Sequence, residues 1–240
     1  MGTVSALLVS DLHLSPSRPD TTDAFLGLLA GQARAASEFY ILGDLFDYWT
    51  GDEVLDDPSV RPVVEALAAL ARGGTQVSFM HGNRDFLVGQ RFADATGARL
   101  LPDPLLVDLD GVPTLLLHGD TLCTEDEGYN RFRAVVRDPA WQRAFLARPL
   151  DERLAEARRL RAISEHEKQS KPSEIMDVTP SEVFRVLRAH GYARMVHGHT
   201  HRPGVHRHPV DGRWCERRVL PDWQGRATGL VARDGRLQPF

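Results

Sequence analysis

Short apolar runs recur along the chain, and each breaks off at a polar cluster. Ala6-Leu-Leu-Val-Ser10, Phe39-Tyr-Ile-Leu42, Val77-Ser-Phe-Met80, Thr114-Leu-Leu-Leu117 and Arg194-Met-Val196 are rich in branched residues and bounded by Gly or Asp. Runs this short predict buried strands, not helix faces. Amphipathic stretches lie between them. The pattern predicts strand 3–10, helix 20–36, strand 38–42, helix 58–72, strand 75–80 and helix 84–96, then a hairpin of Leu105–Leu109 and Pro113–Leu117 across Gly111. Strands alternating with helices imply an α/β fold with a largely parallel sheet and helices on both faces.

From about 125 to 190 the pattern changes. Nine arginines fall between Arg131 and Arg161, threaded with Phe132, Val135, Val136, Trp141, Phe145, Leu146, Leu150, Leu154, Leu160 and Ile163. Pro139, Pro149 and Pro172 punctuate this stretch into several helices, and no strand signal returns before Arg194. It reads as a helical insertion, 125–190, capping the strand ends of a single domain that spans 1–240. The bland alternative is a pair of surface helices with solvated arginine faces. Beyond 204, Arg217–Leu220 and Thr228–Val231 predict a second, antiparallel region.

Composition narrows the classes. At 42% apolar and 26% charged the chain is an ordinary globular protein, and its net charge of −4 argues against nucleic acid as a partner. Two distant cysteines, Cys123 and Cys215, make no disulfide framework and point to a reducing cytosol. There is no basic n-region followed by an apolar stretch at the start, and no run near the ~18 residues of a membrane span.

The polar clusters are Asp11-Leu-His13, Gly43-Asp44-Leu-Phe-Asp47, Gly82-Asn83-Arg84-Asp85, His118-Gly119-Asp120 and Gly198-His199-Thr-His201. A hydrophobic core has no use for them, since burying unpaired Asp, Asn and His costs several kcal/mol. Asp11 with His13, and His199 with His201, are i, i+2 pairs whose side chains converge if the backbone is extended. With Asp44 shared as a bridge, Asp11, His13, Asp44, Asn83, His118, His199 and His201 form two four-ligand sets for adjacent divalent ions. Nitrogen and oxygen donors without thiolate suit Mn²⁺, Zn²⁺ or Fe²⁺. Such a pair of ions clamps both the attacking and the leaving oxygen of a phosphoryl displacement. Asp47 and Asp120 are placed to orient ligand histidines. His81 and His197 are open between that role and packing, and His166, His190, His206 and His208 read as surface residues.

The ordered set resembles the calcineurin-like metallophosphoesterase superfamily. That resemblance corrects the parallel-sheet reading to an α+β four-layer β-sandwich flanked by helices, with the dinuclear centre at the strand ends. Most members carry Gly-Asn-His as the third motif, its His protonating the leaving alkoxide. Here Arg84 replaces that His and cannot give up a proton. A leaving group that is itself a phosphate monoester, with a second pKa near ~6, departs without protonation. Arg84 therefore favours pyrophosphate cleavage.

Longer strings, Tyr40 to Asp47, His81 to Phe86, His118 to Asp126, Ile175 to Val178 and His197 to Pro203, resemble the UDP-2,3-diacylglucosamine diphosphatase family of lipid A biosynthesis over nearly the whole chain. The resemblance implies hydrolysis of that substrate to UMP and 2,3-diacylglucosamine 1-phosphate, two Mn²⁺ per chain, and a peripheral place on the cytoplasmic face of the inner membrane, with no obligate protein partner. It assigns the seven residues above as metal ligands, and Asn83, Arg84 and His118 as the catalytic set. Asn83, Arg84, Asp126, Ser164, Lys168, Lys171 and His199 become substrate contacts. Three departures stand out: Lys168 where Asn is common, a more charged Glu165–Gln169, and Pro221 where Gly is common. None touches a metal ligand. The insertion then supplies an apolar trough beside a basic wall for the acyl chains and diphosphate. Alternatives are a broader phosphodiesterase or nucleotide pyrophosphatase of the superfamily, and a binding scaffold that has lost catalysis.

Overall fold

The computed structural model describes residues 4–170 and 176–240, with side chains described for 4–164 and 176–240. In chain order the elements are β1 (Val4–Val9), α1 (Pro19–Ala30), β2 (Ala36–Leu42), α2 (Arg61–Arg72), β3 (Gln76–Met80), α3 (Gln90–Thr96), β4 (Arg99–Leu101), β5 (Leu105–Leu109) and β6 (Val112–Leu116). Then come α4 (Glu127–Val136), α5 (Pro139–Leu146), α6 (Leu150–Ser170) and α7 (Pro180–Ala189). The chain closes with β7 (Arg194–His197), β8 (Gly204–Val210), β9 (Arg213–Val219), β10 (Leu230–Arg233) and β11 (Arg236–Pro239).

The strands form two mixed sheets, not one parallel sheet. The first runs β11-β10-β1-β2-β3-β4 and the second β5-β6-β7-β9-β8. Strands β1 to β4 are mutually parallel, and β10 and β11 extend that sheet antiparallel. In the second sheet only β6-β7 and β7-β9 pair in parallel. Side-chain alternation sorts the first sheet into two cores. Leu7, Val9, Phe39, Ile41, Val77 and Phe79 pack with Phe25, Leu67 and Phe92 of α1 to α3. Their neighbours Ala6, Leu8, Tyr40, Leu42 and Met80 meet Leu109, Leu116 and Val196 of the second sheet. The outer face of that sheet, with Leu115, Met195 and Cys215, is covered by Val183, Val186 and Leu187 of α7. The result is four layers, helix, sheet, sheet, helix. Strands buried on both faces read as continuous apolar runs, which is why the central ones were visible in the sequence.

The differences have local causes. The helix expected over 84–96 is only α3, because 83–89 is turned into the site. The helix expected over 20–36 stops at Ala30, and a 3-10 turn, Gln32–Ala35, follows Gly31. Strands β4, β8 and β11 were unpredicted, all three at sheet edges; β8 has Val205, His206 and Arg207 exposed and no apolar run to announce it.

Candidate metal centre

All five motifs leave the C-terminal ends of β1, β2, β3, β6 and β7, where the two sheets open together. The backbone there is strained, and not extended as the i, i+2 reading supposed. Asp11 (φ 56°), His13 (50°), Asp44 (54°), His199 (66°) and His201 (54°) all lie in the left-handed region. Each such residue costs of order 1–3 kcal/mol unless its surroundings hold it. Convergence therefore comes from left-handed turns beyond the strands. Two glycines permit it: a Cβ on Gly82 would strike the Asp44 carboxylate, and one on Gly198 would strike Ser10 and Asp11.

The seven expected ligands are brought together. His201 Nε2 lies 3.2 Å from Asp11 Oδ1 and 3.3 Å from His13 Nε2. Asp44 faces both halves, with Oδ2 3.9 Å from His13 Nδ1 and Oδ1 3.8 Å from His118 Nε2. Asn83 Oδ1 sits 3.0 Å from His118 Nε2 and 2.8 Å from His199 Nδ1. Two trios, Asp11-His13-His201 and Asp11-Asp44-His118, are compact enough to hold an ion.

The residues fit divalent cations for a specific reason. His118 Nδ1 donates to the Leu42 carbonyl at 2.9 Å, so in the neutral ring Nε2 carries a lone pair. That lone pair faces the Asn83 and Asp44 oxygens, acceptor against acceptor, which a cation or a proton between them resolves. Without an ion the proton takes the place. Burial disfavours charge on His118, but Asp44, Asp11 and Asp120 outweigh it and push its pKa up to about 9. Asp11 is held well below the carboxylate range; burial opposes this, and a hydrogen bond from His201 with the charges of the neighbouring histidines prevails. Burial and the charge of His118 push His199 down to about 3.

Asp85 is a residue the sequence reading quoted without a role. Fully buried, it accepts the backbone N–H of Gly82 (2.9 Å), Leu45 (2.7 Å) and Asp44 (3.2 Å), tying the second and third motifs together. Burial and Asp44 raise it to about 6. Its signal was a carboxylate directly after the Asn83-Arg84 pair. Asp120 does not orient His118. The Leu42 carbonyl does, while Asp120 accepts from Tyr129 Oη (2.6 Å) and Arg133 Nε (2.7 Å). His197 donates from Nδ1 to the Gly198 carbonyl, and Arg217 donates to its Nε2 at 2.9 Å. His81 lies 2.7 Å from the Val88 carbonyl.

A cavity of about 450 Å³ opens on the cluster. Its walls include His13, Asp44, Asn83, Arg84, His199 and His201, and opposite them Phe132, Val136, Trp141, Phe145, Leu160 and Ile163 of α4 to α6. Leu146 and Leu150, expected in that wall, do not line it. Asp126 and Ser164 do, and the Asp126 carboxylate also caps α4 by accepting from Tyr129 N. Lys171 lies outside the described residues, and of Lys168 only its place in α6 is described. Several arginines of the expected basic wall reach the motif loops, Arg161 while also lining the cavity. Arg153 donates to the Thr50 carbonyl (2.6 Å) and Glu53, Arg161 pairs with Asp47 (2.6 Å), and Arg137 donates to the Gly82 carbonyl (2.8 Å).

Comparison with known proteins agrees with this geometry. The calcineurin-like phosphoesterase family matches residues 4–203. A UDP-2,3-diacylglucosamine hydrolase of Aromatoleum aromaticum is 54% identical, covering 95% of this chain and 92% of that protein. One of Chromohalobacter salexigens is 51% identical over 99% and 98%, and one of Pseudomonas aeruginosa 47% over 99% and 99%. A dimetal phosphatase from Danio rerio shares the fold at a TM-score of 0.53, with 16% identity over 100% of this chain and 96% of that one.

Proposed function

The chain belongs to the calcineurin-like phosphoesterases and, within them, to the UDP-2,3-diacylglucosamine hydrolase family, and we propose that it cleaves the pyrophosphate of UDP-2,3-diacylglucosamine to UMP and 2,3-diacylglucosamine 1-phosphate. One observation carries this reading: a single cavity joins five of the seven donors, His13, Asp44, Asn83, His199 and His201, with Arg84 and an apolar wall. That combination suits a substrate with a diphosphate at one end and acyl chains at the other.

Asp11, His13 and His201 would hold one divalent ion, and Asn83, His118 and His199 the other, with Asp44 between them. When bound, two such ions polarise phosphoryl oxygens and lower the pKa of a water molecule. We assign the metal as Mn²⁺. The Leu42 carbonyl keeps the proton of His118 on Nδ1, so Nε2 stays aimed at the centre. Asp85 holds the two loops that present Asp44 and Asn83. Arg84 acts as a fixed cation on the departing phosphate, able to grip two oxygens at once. Asn83, Asp126, Ser164, Lys168, Lys171 and His199 serve as the remaining substrate contacts.

No helix among the described residues is long and apolar enough to cross a membrane. Phe132, Val135, Leu146 and Ile163 are exposed on the cap helices. They support a peripheral position on the inner face of the inner membrane, where a diacylated substrate resides. The test is release of UMP from the diacylated substrate, with and without Mn²⁺, beside ADP-ribose and bis(p-nitrophenyl) phosphate. Strong Mn²⁺-dependent preference for the lipid substrate is expected, with Asp44→Ala more damaging than Asp47→Ala. Equal turnover of all three substrates would favour a broad phosphodiesterase instead.

A further inference from the structure

We propose that Arg137, at the corner between α4 and α5, is a positioning residue that fixes the loop carrying Asn83 and Arg84. It ends α4, and its own N–H closes the helix on the Arg133 carbonyl. Its side chain leaves the cap and reaches across to the third motif. There Nη2 donates to the Gly82 carbonyl at 2.8 Å, and the guanidinium lies 5.3 Å from the centre of the Phe86 ring. Gly82 and Phe86 flank Asn83 and Arg84 on either side, so one planar cation grips the loop at both ends. A charge-assisted bond and a cation–π contact from the same group define an orientation that either contact alone leaves loose.

The loop needs an external hold. From Asn83 to Gly89 it has neither helix nor strand, and its inner side is already engaged. There Asp85 collects the N–H groups of Gly82, Asp44 and Leu45, and the N–H of Arg84 donates to Asp44. Those bonds fix the loop to the second motif from below. From the cap, Arg137 makes the polar contact, beside the ring of Trp141 against Phe86. The same helix also clasps the fourth motif, where Arg133 and Tyr129 reach Asp120. Phe132 and Val136, between these polar contacts, line the cavity. Helix α4 thus presents apolar side chains to the cavity while its polar ones hold two motif loops. Arg137 is the part of that device that reaches the loop of Arg84.

This inference rests on the proposed role of Arg84, and a double-mutant cycle tests it. Losing a charge-assisted bond corresponds to roughly 10- to 100-fold in rate. Arg137→Ala should lower kcat by about that factor while Mn²⁺ content and the circular dichroism spectrum stay those of wild type. Arg137→Lys should recover part of the loss, since an ammonium can reach the carbonyl without covering the ring in the same way. Hydrogen exchange gives a readout independent of turnover: in Arg137→Ala the amides of Asn83 to Phe86 should lose protection while those of β1 to β3 keep theirs. In the Arg84→Ala background, Arg137→Ala should cost far less than in wild type, because residues acting as one unit are not additive. Additive losses, or unchanged exchange at Asn83 to Phe86, overturn the proposal. If wild type does not turn over the diacylated UDP-sugar, the functional reading fails by itself. The exchange at Asn83 to Phe86, which needs no substrate, then still decides whether Arg137 positions the loop.

Discussion

Arg84 is held by its backbone as well as offered by its side chain. Its N–H donates to Asp44 Oδ1 at 2.9 Å, a bond every substitution except Pro retains. Changes at this position therefore probe the guanidinium while leaving the loop's contact with Asp44 in place. A donor that serves a transition state is typically worth ~2.7–4 kcal/mol, so Arg84→Ala should lower kcat by roughly 10²–10³ with Mn²⁺ content unchanged. Arg84→Lys should recover only part, lacking the two-pronged grip. Arg84→His should not restore the pyrophosphate reaction, yet should raise turnover of an aryl or alkyl phosphodiester, most of all the alkyl one, whose alkoxide leaving group benefits from a proton. Steady-state rates on both substrates check this, and a His variant equal to wild type on the diacylated UDP-sugar defeats the leaving-group argument. The identities of the seven donors were legible in the sequence because polar residues at buried strand ends are anomalous. Their conformation was not: Asp11, His13, Asp44, His199 and His201 adopt left-handed backbone, and nothing in an i, i+2 spacing reveals the sign of φ.

Among the elements, legibility followed burial. Strands β1, β2, β3, β6 and β7 were visible as apolar runs, because each is packed on both faces or against a helix layer. Edge strands β4 and β8 lack that pressure on their composition. The arginines of α4 to α6 gave the most misleading pattern, since a solvated face and a set of inward ties have the same periodicity. Arg153, with its residue only 2% exposed, shows how far the second case can go. The cap helices make a separate prediction. Each buried CH₂ contributes ~0.8 kcal/mol, so acyl chains seated against Phe132, Trp141 and Phe145 should dominate substrate affinity. Deacylated UDP-glucosamine should show a kcat/KM lower by several orders of magnitude than the diacylated substrate. Phe132→Ala should narrow that gap at little cost in stability, because Phe132 is 37% exposed. Comparable kcat/KM for the two substrates would show that the cavity is not an acyl site.

At the scale of the whole molecule, the donor cluster links stability to metal and to pH. Two sheets and two helix layers deliver Asp11, Asp44 and His118 to one buried place, where their mutual arrangement is favourable only with positive charge among them. A ligand at 100 times its Kd stabilises the folded state by ~2.7 kcal/mol, so two sites filled at that level give about 5 kcal/mol. For a domain of this size that is a rise in Tm on the order of 10 °C. In metal-free protein a proton on His118 supplies part of the same charge. Its pKa is raised from 6.5 in the unfolded chain to about 9 in the fold. A raised pKa means the folded state binds the extra proton, so this contribution is complete below pH 6.5 and disappears as pH climbs through about 9. His199, already down near 3, does not titrate in that window. Metal and proton compete for His118 Nε2, so Mn²⁺ binds more tightly as the proton leaves. Metal-free protein should therefore lose Tm between pH 6.5 and 9, while the increment given by a fixed Mn²⁺ concentration grows over the same range. Differential scanning calorimetry at constant ionic strength, with chelator or with Mn²⁺, reads both trends. An increment that stays flat across the window would mean that His118 neither carries the proton nor meets the metal.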